Sequence, residues 1–146
     1  MSEKTNPDIK IFVSNRIDLA SETINEAPYV NVRCGAVFDS NTDHKMLGDN
    51  TGDNISEKRM SFCELTVQYW AWKNIDADYY GLCHYRRYLS FDSQLHEVAV
   101  SEHDNGCVNI DYLTDNVRDK YKLNYDGVKD MLDKYDVIAC APIDYD

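Results

Sequence analysis

Three short apolar runs set apart by helical patterns constrain this chain more than any other feature. Ile9-Lys10-Ile11-Phe12-Val13, Tyr79-Tyr80-Gly81-Leu82-Cys83 and Asp136-Val137-Ile138-Ala139-Cys140-Ala141 are rich in β-branched and aromatic residues, and each reads as a buried strand. Strands of this kind need helices packed on the sheet. Their alternation with helical segments predicts an α/β fold with a mixed, mostly parallel sheet flanked by helices. A length of 146 residues suits a single domain spanning 1–146.

The clearest helix is expected over Ser61–Asn74. Ser61 with Glu64 three residues on has the form of a capping box, and Met60 with Leu65 that of a hydrophobic staple. Phe62, Leu65, Tyr69 and Trp72 form one apolar stripe, and Cys63, Val67 and Trp70 a neighbouring one, which predicts a helix wedged between layers. Asn74 suits its end. A second, shorter amphipathic helix is expected over Asp126–Lys134. Residues 15–57 read as mostly irregular, with short apolar stretches at Val30-Asn31-Val32 and Ala36-Val37-Phe38. Residues 91–120 read as an insertion or mobile loop.

Charge and cysteine content narrow the function. The net charge is -11, which argues against nucleic acid and anionic membrane as partners, since both attract basic surface. A small phosphorylated ligand needs only a few local cations and stays open. The five cysteines are scattered without CxxC spacing, which indicates a reducing compartment. No apolar leader or membrane-length run is present, so the expected location is the cytoplasm, or the inner membrane surface through partners.

Open α/β sheets bind ligands beyond the carboxyl ends of their strands. The first strand ends at Ser14-Asn15-Arg16 and the second runs into His84-Tyr85-Arg86-Arg87-Tyr88. Paired arginines at such a place suit a phosphate, which a guanidinium binds through two parallel hydrogen bonds. The plain alternative is one solvated arginine and one paired with a carboxylate. His84 has the chemistry of an acid, a base or a phosphate donor, and equally of a satisfied core histidine. Glu64 is explained by the capping box without any chemistry. Trp70 and Trp72 could stack on a base or sugar, but at this spacing belong more readily to the core. Asp53-Asn54 could bond a sugar hydroxyl or make an Asx turn. Two Asp-x-Asp triplets have the form of a metal-binding pair. Asp76-Ala77-Asp78 lies at the wrong end of its strand, and Asp144-Tyr145-Asp146 lies at the right end of the third. No glycine-rich phosphate loop occurs, which excludes kinase and dinucleotide-binding patterns.

The segments Ile9–Ser14, Gly52-Asp53-Asn54-Ile55-Ser56, Cys63-Glu64-Leu65-Thr66, Tyr69–Asn74 and Tyr80–Tyr88, with Asp136–Cys140, resemble a domain family of bacterial capsular and exopolysaccharide glycosyltransferases, first described as of unknown function. The resemblance implies a GT-A-like, Rossmann-related fold, of which this chain would be the incomplete N-terminal part. It also implies a nucleotide-diphosphate-sugar donor and a glycan or lipid-linked acceptor. Where related folds carry an Asp-x-Asp, this chain has His84-Tyr85-Arg86. Fixed cations would then neutralise the leaving diphosphate. No cofactor is demanded, and a divalent Mn or Mg ion remains compatible. The expected site comprises His84 and Arg86 as catalytic groups. Ser14, Asn15, Asp53, Asn54, Tyr85 and Arg87 would bind substrate. The alternative is a non-catalytic nucleotide-sugar-binding or assembly module.

Overall fold

The computed structural model describes residues 6–41, 45–94 and 107–140. They fall into two compact units, Met1–Arg87 and Tyr88–Asp146.

The first unit is built on a parallel sheet of β1 (Ile9–Asn15), β2 (Tyr29–Arg33), β3 (Leu47–Gly48) and β4 (Tyr79–His84), in the order β3-β2-β1-β4. β1 is central and buried along nearly its whole length. β4 pairs with β1 from Ile9↔Tyr79 to Ser14↔His84 and is only partly buried, because it forms the sheet's edge among the described residues. Val30-Asn31-Val32 belongs to a full strand, and Ala36–Phe38 forms a single 3-10 turn. The chain steps from β1 to β2 and β3 on one side, then returns to β4 on the other. The reversal lies between β1 and β4, where crevices of open α/β sheets form.

One face of the sheet packs on the helical segment. Phe12, Val32, Cys34, Val67, Trp70 and Ala71 form a buried cluster, joined by the half-buried Val30, Ile75 and Leu82. The Phe12 and Trp70 rings meet edge to face at 6.2 Å, a favoured geometry for aromatic pairs.

The expected single helix from Ser61 is two: α1 (Arg59–Phe62) and α2 (Leu65–Asn74). The break falls at Cys63, whose φ of 46° and ψ of -125° are costly for a residue with a Cβ. Its carbonyl accepts from the Thr66 amide at 3.2 Å and from the Cys34 thiol at 3.2 Å, which holds the kink. The capping box is therefore not made. Ser61 lies inside α1, and Glu64 offers no side-chain cap to α2. Met60 and Leu65 are exposed rather than stapled. The kink also rotates the apolar stripes. Val67 and Trp70 face the core, while Phe62, Leu65 and Trp72 lie outside it, Trp72 at 66% exposure. Asn74 does end α2, and its amide bonds the carbonyls of Trp70 and Asp53, both at 2.8 Å.

A buried carboxylate ties the first unit together. Asp49, fully enclosed just after β3, accepts hydrogen bonds from the amides of Gly35 and Ala36 and from the hydroxyls of Ser56 and Thr66. A carboxylate is an acceptor with room for about four such bonds. These donors come from the turn after β2, the segment before α1, and α2.

The second unit contains α3 (Asp115–Lys120) and α4 (Tyr125–Leu132), each with a side-chain N-cap, from Thr114 and Asn124. Within the 91–120 segment, expected as an insertion or mobile loop, residues Asp115–Lys120 are helical. Residues 95–106 lie outside the described residues, as do Ala141 and the Asp144-Tyr145-Asp146 triplet. The third expected strand is absent from 136–140. That run joins no described sheet, and Val137 is exposed. β propensity alone does not hold a strand that lacks a pairing neighbour.

Replacing Asp49 with Ala would leave buried donors without an acceptor. We expect a loss of at least about 3 kcal/mol in urea unfolding, given a cost of roughly 1–3 kcal/mol for each buried group left unbonded.

Candidate functional site

The carboxyl ends of β1 and β4 open onto a cleft of about 320 Å³. Ser14, Asn15, Arg16, His84, Tyr85 and Arg86 line it from the strands. Arg59, Met60, Cys63 and Glu64 line it from the kinked α1–α2 segment, and Cys34 sits behind them. The parallel register sets Ser14 beside His84, and the Tyr85 amide donates to the Ser14 carbonyl at 3.1 Å. Thus the chain continues past β4 while still anchored to β1.

Of the residues expected from sequence, Ser14, Asn15, His84, Tyr85 and Arg86 come together here. Ser14 and Asn15 are buried, and the Asn15 amide donates to the Val13 carbonyl and to Asn31 Oδ1, both at 3.0 Å. Its NH₂ is therefore occupied in joining β1 to β2. Asp53, Asn54 and Arg87 do not line the cleft. Asp53 accepts from the Tyr69 hydroxyl and pairs its backbone with Asn74, while Asn54 Oδ1 accepts from the Ser56 amide in an Asx turn. They gather near Asn74 at the far end of α2, about 15 Å along the helix from Glu64 at 1.5 Å per residue. Arg87 is exposed, and its amide donates to the His84 carbonyl at 2.9 Å.

Arg16, Arg59 and Glu64 belong to the cleft but not to the expected site. Arg16 was visible at the end of the first strand. Glu64 was hidden by the capping pattern. Arg59 carries no sequence signal, because its position depends on a tertiary fit. Its aliphatic stem fills the space above Gly35, where an added Cβ would fall 2.2 Å from Arg59 Cδ. Gly35 also has a φ of 69°, which glycine adopts without strain.

Local bonds orient His84. The Arg86 amide donates to its Nδ1 at 3.2 Å, which makes Nδ1 an acceptor and places the hydrogen of the neutral ring on Nε2. Nε2 lies 3.5 Å from Glu64 Oε1. The imidazole packs against Tyr85 with centroids 4.2 Å apart and planes tilted by 35°, and the Arg86 guanidinium lies 5.0 Å from the Tyr85 ring centre. Burial pushes the His84 pKa below the ordinary histidine value, Arg87 and Arg86 push the same way, and Glu64 opposes them. Arg16 holds the Asp18 carboxyl down at about 2 through their hydrogen bond. Burial raises the Cys34 thiol, which keeps it protonated.

The donor set does not fit a divalent ion. Three arginines line the cleft against the single carboxylate of Glu64, and no metal-holding cluster of His, Cys, Asp or Glu occurs among the described residues. Metal sites for magnesium or manganese are built from several oxygens. The same set suits an anion.

Fold and cleft together define a parallel α/β unit with an arginine-lined crevice at its topological switch point. The chain belongs to the family described as a domain of unknown function, DUF4422, whose model matches residues 10–146. Its structure is similar to the apo structure of the bifunctional glycosyltransferase WbbM, with 34% identity and a TM-score of 0.76. The match covers 86% of this chain and 21% of that chain. No curated protein matches. The GT-A-like α/β architecture expected of the chain is the one found.

His84 provides a pH test. The folded state binds its proton less readily than the unfolded chain, so the stability it contributes is present above pH 6.5. That stability falls as pH drops below 6.5 and through the lowered folded pKa. An NMR titration should place the His84 midpoint below 6.5. Glu64→Gln should lower it further, because the opposing carboxylate is gone.

Proposed function

We propose that this chain binds a nucleotide-diphosphate sugar in the β1–β4 cleft and serves transfer of the sugar to a growing capsular or exopolysaccharide glycan. The convergence of Arg16, Arg59 and Arg86 on one crevice carries the reading, because such a set on an acidic chain calls for an anionic ligand. The similarity to a bifunctional glycosyltransferase supports the reaction class.

In sugar transfer, the bond from the anomeric carbon to the diphosphate breaks and a bond to an acceptor hydroxyl forms. The electron pair leaves with the diphosphate, and the hydroxyl gives up its proton. Fixed guanidinium groups stabilise the departing charge without rearranging at the moment of reaction. Arg86 sits where it can take a phosphate oxygen, and the packing of His84 against Tyr85 keeps that strand end in shape. His84, with Nε2 protonated, is placed to donate to the same anion. Ser14 and Asn15 form the floor beneath the nucleotide. The same reading keeps the chain in the cytoplasm, within reach of a lipid-linked acceptor. No helix among the described residues is long and apolar enough to cross a membrane.

A second reading is donor binding without transfer. The only carboxylate lining the cleft, Glu64, already faces His84, which leaves the described cleft with no separate carboxylate to accept a proton. Release of nucleoside diphosphate from a donor in the presence of an acceptor separates the two.

Calorimetric titration of UDP and GDP tests the shared part. Arg86→Ala should weaken binding about ten- to hundredfold, the range for losing a hydrogen bond to a charged group. Undiminished binding by that variant would remove Arg86 from the anion site.

A further inference from the structure

We propose that Arg16 and Arg59 form a second anion subsite beside Arg86, and that Asp18 occupies it until a phosphate group displaces it. The inference rests on the anion-binding reading of the cleft and names how its outer half is guarded.

The two arginines come from separate elements, the end of β1 and the start of α1, yet converge on one carboxylate. Arg16 meets Asp18 with both Nε and Nη2, the fork geometry that a phosphate also accepts. Arg59 Nη2 lies 3.9 Å from Asp18 Oδ1, the oxygen that Arg16 Nε also bonds. Both arginines line the cleft, whereas Asp18 does not. It holds their charged ends from the rim, with its side chain 53% exposed.

The Arg59 stem packs over Gly35, and Arg16 lies close enough to the Tyr85 side chain to interact with it electrostatically. Tyr85 in turn packs against His84 and lies under Arg86. Tyr85 thus lies beside both Arg16 and Arg86, while Arg59 approaches from the helical segment. Asp18 sits on an open segment after β1, two residues from its partner.

That asymmetry gives the device its direction. An exposed ion pair contributes little to stability, since water and salt screen it. A phosphate carries more charge and offers more acceptor oxygens than Asp18, so exchange favours the ligand. With Asp18 in place the arginine charge is partly neutralised, and small monovalent anions gain little by entering. With Asp18 displaced, the subsite adds two fixed cations to Arg86.

Titration of inorganic pyrophosphate and of UDP into the intact chain tests the proposal. Asp18→Asn keeps size and exposure but removes the competing charge. It should tighten both ligands about two- to fivefold at low salt, the scale of an exposed pair. Adding Arg16→Gln and Arg59→Gln should abolish that gain and weaken both ligands below wild type. Unchanged or weaker binding by Asp18→Asn would overturn the proposal, as would a gain that survives loss of both arginines. If Asp18→Asn tightens pyrophosphate while Arg86→Ala binds UDP normally, the subsite stands and the role given to Arg86 fails. If neither wild type nor Asp18→Asn binds pyrophosphate or UDP, both fall.

Discussion

The buried carboxylate of Asp49 is the interaction on which the first unit depends. It accepts from the backbone after β2, from Ser56 before α1 and from Thr66 on α2. A charge taken out of water is tolerated only when its acceptor capacity is filled. Here the filling groups come from segments far apart in sequence. Satisfying one side chain therefore fixes the approach of the helical segment to the sheet. The kink at Cys63 and Arg59 both lie in the segment held this way. That segment is also the outer wall of the cleft.

The cleft gathers positive charge locally on an acidic chain. Net charge acts over distances that salt screens within roughly 8 Å at physiological ionic strength. A cluster of guanidinium groups at a strand end acts at contact. Arg16, Arg59 and Arg86 are separated in sequence and gathered by topology, because parallel strands with reversed order bring two strand ends side by side. Only local placement, and not composition, decides what such a surface attracts.

Much of the sheet was legible in the sequence. β1 and β4 stand where their apolar runs predicted, and the strand ends at Ser14 and His84 marked the cleft. What sequence could not supply was anything set by a tertiary fit. Ser61 and Glu64 match a capping pattern, yet the Cys34 thiol and the Thr66 amide capture the Cys63 carbonyl and break the helix between them. That turned Glu64 toward His84 and Trp72 toward solvent. Arg59 became a cleft residue only because Gly35 leaves room for its stem. Asp53 and Asn54 stand within the recognisable motif block but hold the far end of α2. Residues 136–140 had strand composition but pair with no strand among the described residues.

The position of β4 gives the cleft two unlike walls. β1 is hydrogen-bonded on both sides, so Ser14 is held between β2 and β4, and Asn15 is held by β2. β4 is hydrogen-bonded on one side among the described residues, and the residues after it hang from a single seam at Ser14 and Tyr85. The two walls are therefore held in different ways: the β1 floor by its sheet neighbours, and the His84–Arg86 wall by the local bonds that the Arg86 and Arg87 amides donate to His84.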